Sequence, residues 1–395
     1  MTPRKPRGTL RSVVIGRGLP WLLGTAWFGA LAFALTWLPV LAIAGNRLAL
    51  GDPLRGPVVL GGTWTVVLGL SALAVLVLIR HRGSGAVIAI VLLVLAILTF
   101  GIGLGGGAAR ALAGLPPAGR ASLGAGSWLG LFLLAGALGF AVRRSRSPGL
   151  GLATGLGLGL AFVGLWGAGT FDALSLAVEY AARRATVNAA IGEHLALAGA
   201  ALVLSGFLAI GLLLLQRGQG VVALVLGGLQ VVPAVALLGA MVALMSGLLR
   251  LVPALRELGL SALGPVPAIV AIAAYLALPL WRGLTLALRS PDDDTLQAAE
   301  ALGLSRGQVL ARVRLPIGAP ILVGAVRVAA VQGLGLATLG ALVGAGGLGR
   351  IVFDGMAQFA PDLILLGAIP VVGLSLLAER GLSRLEAAAR RRWHA

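Results

Sequence analysis

The chain reads as an all-α polytopic membrane protein with about ten transmembrane helices. Three observations predict this class. Mean hydropathy is +1.01, and 58% of the residues are apolar. Only 11% are charged, against about 25% in a soluble domain. Apolar runs of roughly 20 residues recur along the chain, each long enough to cross a hydrocarbon core of about 30 Å. The 61 glycines suit close approach between membrane helices.

The predicted spans run approximately 20–44, 63–79, 86–107, 123–142, 150–168, 195–215, 220–245, 264–281, 319–345 and 362–380. The first follows Arg4-Lys5-Pro6-Arg7, and Ala42-Ile43-Ala44 imitates a signal cleavage site. The run exceeds the roughly 7–15 apolar residues of a signal peptide, so it is read as an uncleaved membrane helix. Between the fifth and sixth spans lie Asp172, Glu179, Arg183, Arg184, Asn188 and Glu193. Leu174, Ala177, Val178 and Ala181 recur there at helical spacing, which predicts an interfacial helix linking two bundles. The division falls near residue 190: a membrane extension of five helices plus outer linker over 1–190, and five helices with longer, patterned loops over 191–395.

With the N-terminus inside, the inner segments hold more than twice as many Lys and Arg as the outer ones. That bias satisfies the positive-inside rule. It places both termini, the Gln297–Pro316 segment and Arg390-Arg391-Arg392 in the cytoplasm. The net charge of +18 is therefore topological rather than a nucleic-acid signature. The absence of cysteine excludes disulfides, thiolate metal sites and cysteine nucleophiles. His81, His194 and His394 are far apart in sequence and are read as loop or helix-end residues, so no metal site is expected. All 13 acids fall in loops or at span ends, whereas an ion-coupled secondary transporter needs paired acids inside the membrane.

The longest polar break of the C-terminal half carries the mechanism. Ser290-Pro291-Asp292-Asp293 reads as a helix start, with Ser at the cap, Pro in the first turn and acids, Asp294 included, at the positive end of the dipole. The helix continues through Gln297-Ala298-Ala299-Glu300-Ala301-Leu302 to about Gly303. Leu296, Ala299 and Gly303 share one face at i, i+3, i+7. Ala298, Ala301 and Gly303 have almost no side chain, so another surface can approach the backbone. Ser305-Arg306-Gly307-Gln308 has the spacing of a capping box and starts a second short helix. Val313-Arg314-Leu315-Pro316 marks the return into the membrane. The spacing alone leaves two readings, a docking knob or an amphipathic loop on the headgroups.

These residues resemble the EAA loop of permease subunits of ATP-binding cassette importers, which has Glu-Ala-Ala, a glycine, then Ile-x-Leu-Pro. Gln230-Val231-Val232-Pro233-Ala234-Val235-Ala236-Leu237-Leu238-Gly239 resembles the Gln-Thr-Ile-Pro-Ser-Leu-Ala-Leu-Leu-Gly segment of the osmoprotectant (glycine betaine/choline type) branch. Gly335-Leu336-Ala337-Thr338 through Gly344-Ala345-Gly346-Gly347-Leu348-Gly349 is similar to its run after the loop. The resemblance covers about residues 193–385, and residues 1–190 are similar to the N-terminal extension of the longer osmoprotectant permeases. It implies a five-helix importer-permease core over 191–395 with a coupling loop at 290–316. The implied ATPase-coupling residues are Asp294, Gln297, Ala298, Ala299, Glu300, Gly303, Val313, Leu315 and Pro316. Gln297 departs from the family's Glu, and Glu300 lies one helical turn later.

The resemblance further implies separate ATPase subunits that bind ATP and Mg, a second permease subunit and an extracytoplasmic solute-binding protein. The chain itself carries no cofactor site: Lys5 is its only lysine, and a P-loop needs Gly-x4-Gly-Lys-Ser/Thr. The expected function is ATP-driven import of small osmolytes such as glycine betaine or choline, in the inner membrane. The alternatives are another small polar solute such as an amino acid, an ion-coupled carrier or a membrane scaffold.

Within the spans, Gln230, Pro233, Gln332 and Thr338 are candidates for the translocation path. Pro233 either kinks span seven for packing or lines the path, and Gln230 either bonds a neighbouring helix or faces the path. Gly344, Gly346, Gly347 and Gly349 form a gate-like turn at the outer end of span nine. Arg327, inside span nine, is assigned a structural role at the cytoplasmic boundary. The apolar face of Ser246–Gly264 either covers helix ends or helps to receive the binding protein.

Overall fold

The computed structural model describes residues 10–46, 49, 51–81, 85–215 and 218–393. Lys5 and His394 lie outside the described residues. The chain divides into two compact units, Met1–Ala182 and Arg183–Ala395.

The first unit contains α1 (Leu10–Thr36), β1 (Pro39–Ala44), β2 (Asp52–Arg55), α2 (Gly56–Leu60), α3 (Gly62–Arg80), α4 (Gly85–Leu112), β3 (Arg120–Leu123), α5 (Ala125–Ser145) and α6 (Pro148–Gly167). The first membrane helix is shorter than the predicted span. The helix ends at Thr36, and residues 39–44 leave it as a strand. Pro39 disfavours the helical region for the residue before it. Val40 and Leu41 then bury inside a three-stranded antiparallel sheet of order β2-β1-β3. A six-residue apolar strand cannot be told from a helix end by hydropathy alone.

Helix α4 is the centre of this unit. It packs on α3, α5 and α2, and Leu93, Ile97 and Phe100 meet Leu31, Leu35 and Leu134 in one apolar core. Its glycines set the spacing. A Cβ at Gly105 would collide with the Thr170 carbonyl, and one at Gly107 with the Val59 carbonyl.

The outer linker is helical from Ser175, as the spacing of Ala177, Val178 and Ala181 predicts. The backbone is non-helical at Arg183 (φ −125°, ψ 19°), so Ser175–Leu214, labelled α7, is two helical pieces that meet at a kink. The second unit continues with α8 (Gln219–Val231), α9 (Ala234–Leu251), α10 (Pro265–Leu288), α11 (Asp293–Ala301), α12 (Arg306–Val309), α13 (Leu315–Leu339), α14 (Leu348–Ala357) and α15 (Pro361–Trp393). Helices α10, α13 and α15 pack in series. Leu276, Trp281, Leu334 and Ala337 form the core with Leu197 and Ala201 of α7. Close approach again depends on glycine: a Cβ at Gly283 would strike Ala325, and one at Gly318 the Ala287 carbonyl.

Among the described residues, ten helical segments are long and apolar enough to span a membrane. The predicted seventh span is broken rather than kinked. Val232 and Pro233 are extended (ψ 129° and 135°), and α9 starts afresh at Ala234. The tenth continues well past residue 380, to Trp393.

Candidate functional site

The knob over 290–316 is built by local capping. Helix α11 starts two residues later than the sequence suggests. Asp292 is its cap, accepting the Thr295 N–H at 2.7 Å, while the Ser290 hydroxyl donates back to the Ala287 carbonyl at 2.7 Å. Proline at 291 restricts Ser290 to non-helical backbone, which moves the cap to the next side chain able to reach a free amide. Hydrogen bonds from the Thr295 side chain and backbone hold the Asp292 carboxyl below its ordinary range. Asp293 and Asp294 complete an acidic first turn.

The other end of α11 is a Schellman turn. Gly303 takes φ +73°; its N–H bonds the Glu300 carbonyl at 2.9 Å, and the Leu304 N–H bonds Ala299 at 3.2 Å. Glycine is the residue that adopts this conformation without a Cβ penalty. Gly303 therefore terminates the helix instead of lying on its face. Ser305 and Gln308 form the predicted capping box, with contacts of 2.8 and 3.4 Å. The chain then passes through a π-helical turn, Leu310–Arg314, into α13.

The knob's two stems are tied together. The Arg314 guanidinium donates to the Leu288 carbonyl at the end of α10, at 2.5 Å. A cation at a helix C-terminus is favoured by the macrodipole. Gly318 lets α13 approach Ala287 at the same level. The ends of α10 and α13 are thus joined where the knob leaves the bundle.

Exposure sorts the coupling candidates. Asp294, Gln297, Ala298, Glu300 and Gly303 are exposed, as are Ala301 and Leu315, while Val313 and Pro316 are half-buried. Ala299 is 5% exposed, so it anchors the knob and is not part of an outward step. Leu302, which the motif did not single out, is 81% exposed. Ala298, Ala301 and Leu302 make a flat apolar step beside Gln297 and Glu300.

The path candidates separate in the same way. The Gln230 amide donates to the Tyr275 carbonyl on α10 at 2.6 Å. The Tyr275 hydroxyl donates back to the Val232 carbonyl, left free by the break at Pro233. Gln230 thus bonds a neighbouring helix. Pro233 is exposed, and Gln332 and Thr338 are half-buried on α13. The Thr338 carbonyl is where a Cβ at Gly349 would collide.

The glycine turn is pinned from two sides. Gly344, Gly346 and Gly347 have φ of 81°, 79° and 72°. The Gly347 N–H donates to Glu193 Oε2 at 2.8 Å, and the Gly264 N–H bonds the Val343 carbonyl at 2.7 Å. His194, expected in a loop or at a helix end, lies within α7 and is fully buried. Its Nε2 donates to the Leu334 carbonyl at 2.9 Å. A carbonyl only accepts, so the proton is on Nε2. His81 is exposed just beyond α3. Among the described residues no cluster of His, Asp and Glu has metal-site composition.

Arg327 does not reach toward water alone. It bonds Glu379 at 2.5 Å and Glu386 at 3.2 Å, both on α15, and Glu386 also holds Arg390 at 2.6 Å. The pairing fixes α13 against α15.

Both halves of the chain are similar to known families. Residues 201–391 match a family described as binding-protein-dependent transport system inner membrane component. Residues 22–177 match the N-terminal domain of the ABC transporter permease YehY. The carnitine transport permease protein OpuCB of Listeria monocytogenes is 31% identical over 198 residues, 49% of this chain and 84% of that protein. The choline transport system permease protein OpuBB of Bacillus subtilis (strain 168) is 27% identical, again over 49% of this chain and 84% of the relative. An inward-facing structure of the MetNI methionine ABC transporter aligns at 22% identity with a TM-score of 0.44, covering 52% of this chain and 96% of that one. With 31% identity across most of a curated permease, the chain belongs to the binding-protein-dependent inner membrane components, the membrane-spanning permease subunits of ATP-binding cassette importers, whose ATPase is a separate subunit.

Proposed function

We propose that this permease imports small quaternary-ammonium osmolytes, the class to which carnitine, choline and glycine betaine belong. The observation that carries the reading is the similarity of residues in the C-terminal half to permeases named for carnitine and choline. ATP and Mg are bound by the separate ATPase subunits, and an extracytoplasmic binding protein delivers the solute. A second permease subunit, the same chain or a different one, completes the path. Residues 1–190 form a membrane extension and 191–395 the transport core.

The knob docks on the ATPase through Gln297, Ala298, Ala301 and Leu302. The cytoplasmic placement of both termini and the knob is supported by the Lys and Arg bias. Gln297 in place of a carboxylate is tolerated because fit of a small-residue surface, not one charge, dominates the contact. Closure of the ATPase dimer pushes α11, and the Arg314–Leu288 tie passes the displacement to α10 and α13 as rigid bodies. Gln230, Tyr275 and the break at Pro233 then move as one joint beside the path.

Uptake by vesicles reconstituted with the partner subunits tests the proposal. Labelled betaine or choline should accumulate only with ATP and binding protein present. Accumulation of an amino acid in their place would overturn the substrate assignment.

A further inference from the structure

The N-terminal unit contains a cavity of about 1260 Å³ between α1, α3 and α5. Its walls are apolar, with Leu23 and Trp27 of α1, Ile79 of α3, and Phe132 and Phe140 of α5 among them. One end is different. Arg143, Arg144 and Arg146, from the last turn of α5 and the residue after it, line the cavity there. No acidic side chain lines it. We propose that this cavity binds one anionic phospholipid, with the phosphate on the arginines and an acyl chain between α1 and α5.

Three observations point to that occupant. From Phe132 to Arg143 the helix rises roughly 16 Å at about 1.5 Å per residue, about half of a hydrocarbon core near 30 Å. The cavity therefore has the depth of one leaflet, with its cations at headgroup level. Arginines at a helix C-terminus are ordinary by themselves, but here Arg144 Nε is buried and has no hydrogen-bond partner. Arg146 adopts φ +54°, a left-handed conformation uncommon for a residue with a side chain, and it does so at the cavity edge. Planar guanidinium forks match a phosphate bidentately.

Two competing occupants fit less well. The segment over residues 1–9 is basic, with Arg4, Lys5 and Arg7, and like charges repel at the arginine end. Free phosphate would use the arginines and leave the apolar walls without a partner. The inference does not depend on which solute the permease carries.

Native mass spectrometry of the full chain, released from membranes in mild detergent and supplied with phosphatidylglycerol or phosphatidylcholine, tests it. One phosphatidylglycerol should be retained in preference to phosphatidylcholine. The double variant R144Q/R146Q should weaken its retention by about tenfold or more, since charge-assisted bonds are lost. The variant G136F should do the same with all three arginines present: a Cβ at Gly136, a lining residue, meets nothing within 4 Å, and the ring beyond it takes up space the acyl chain needs. An unchanged thermal transition shows each variant folded. Equal retention of phosphatidylcholine, or wild-type retention by both variants, would overturn the proposal. Displacement of the lipid by an equal concentration of glycerol phosphate would overturn the acyl-chain assignment. Phosphatidylglycerol retained only after deletion of residues 1–9 would make that segment the occupant.

Discussion

The carboxylate of Glu193 accepts the backbone N–H of Gly347 at 2.8 Å, joining α7 to the turn after α13 across 154 residues of sequence. The bond lies where three glycines have positive φ, a stretch with no helix or sheet ladder of its own to satisfy its amides. A Cβ at Gly346 would come within 2.6 Å of the same carboxylate oxygen. Glu193→Ala should therefore cost about 1–2 kcal/mol of stability and loosen the turn. Glu193→Gln, which keeps an acceptor, should cost less. Thermal unfolding of the two variants in detergent measures the difference; an unchanged transition in Glu193→Ala would show that the carboxylate is not holding the turn.

The cap at Asp292 predicts a pH dependence. Its carboxyl is held below the ordinary range by hydrogen bonds from Thr295. A depressed folded value means the cap's contribution is present above the unfolded carboxylate range and is lost as pH falls through the folded value. The protection of the first amides of α11 against hydrogen exchange, taken relative to their intrinsic rates at each pH, should be highest at neutral pH and fall in acid. Asp292→Asn, which caps without titrating, should remove the acid dependence. Protection in the wild type that does not fall in acid would contradict this account.

Arg327 should be replaceable only together with its partners. Arg327→Glu places a third acid beside Glu379 and Glu386 and should destabilise the pairing of α13 with α15. The exchange R327E/E379R should recover part of that loss, because opposite charge returns to one of the two contacts. A double-mutant cycle in thermal stability reads the coupling. Zero coupling would reduce the network to a set of independent surface charges.

The knob makes a sharper distinction between two neighbouring alanines. Ala301 is exposed, so Ala301→Trp should leave stability within about 0.5 kcal/mol while abolishing transport-coupled ATP hydrolysis. Ala299 is buried, so Ala299→Trp should overpack the knob and cost about 1–3 kcal/mol. ATPase assays alongside thermal unfolding separate loss of docking from loss of fold. Normal coupling in Ala301→Trp would remove the step from the docking surface.

How legible all this was in the sequence depends on the range of each interaction. Capping chemistry acts within four residues, so the Ser305–Gln308 box and the turn at Gly303 follow from spacing, and the cap at Asp292 is displaced by only two residues. Hydropathy over roughly 20 residues likewise shows the spans. Residues 39–44 escaped because six apolar residues satisfy either a strand or a helix end, and the partner strands that decide it lie at 52–55 and 120–123. Tyr275 stands in an apolar run with no motif around it. Its role at the Pro233 break needs α8 and α10 side by side, across 43 residues. Arg327 stood out as a charge in an apolar run, yet Glu379 and Glu386 are 52 and 59 residues away, so its pairing could not be read locally. Leu302 lies within the motif but carries no motif letter; only its exposure marks it.

The chain contains no cysteine, so a single Ala301→Cys substitution gives one thiol on the knob. Labelling it with a membrane-impermeant maleimide, in right-side-out and inside-out vesicles, tests the coupling account most directly. The thiol should react only in inside-out vesicles, and the bound ATPase subunit should shield it. Reaction from the outer face, or reaction undiminished by the ATPase, would contradict the account.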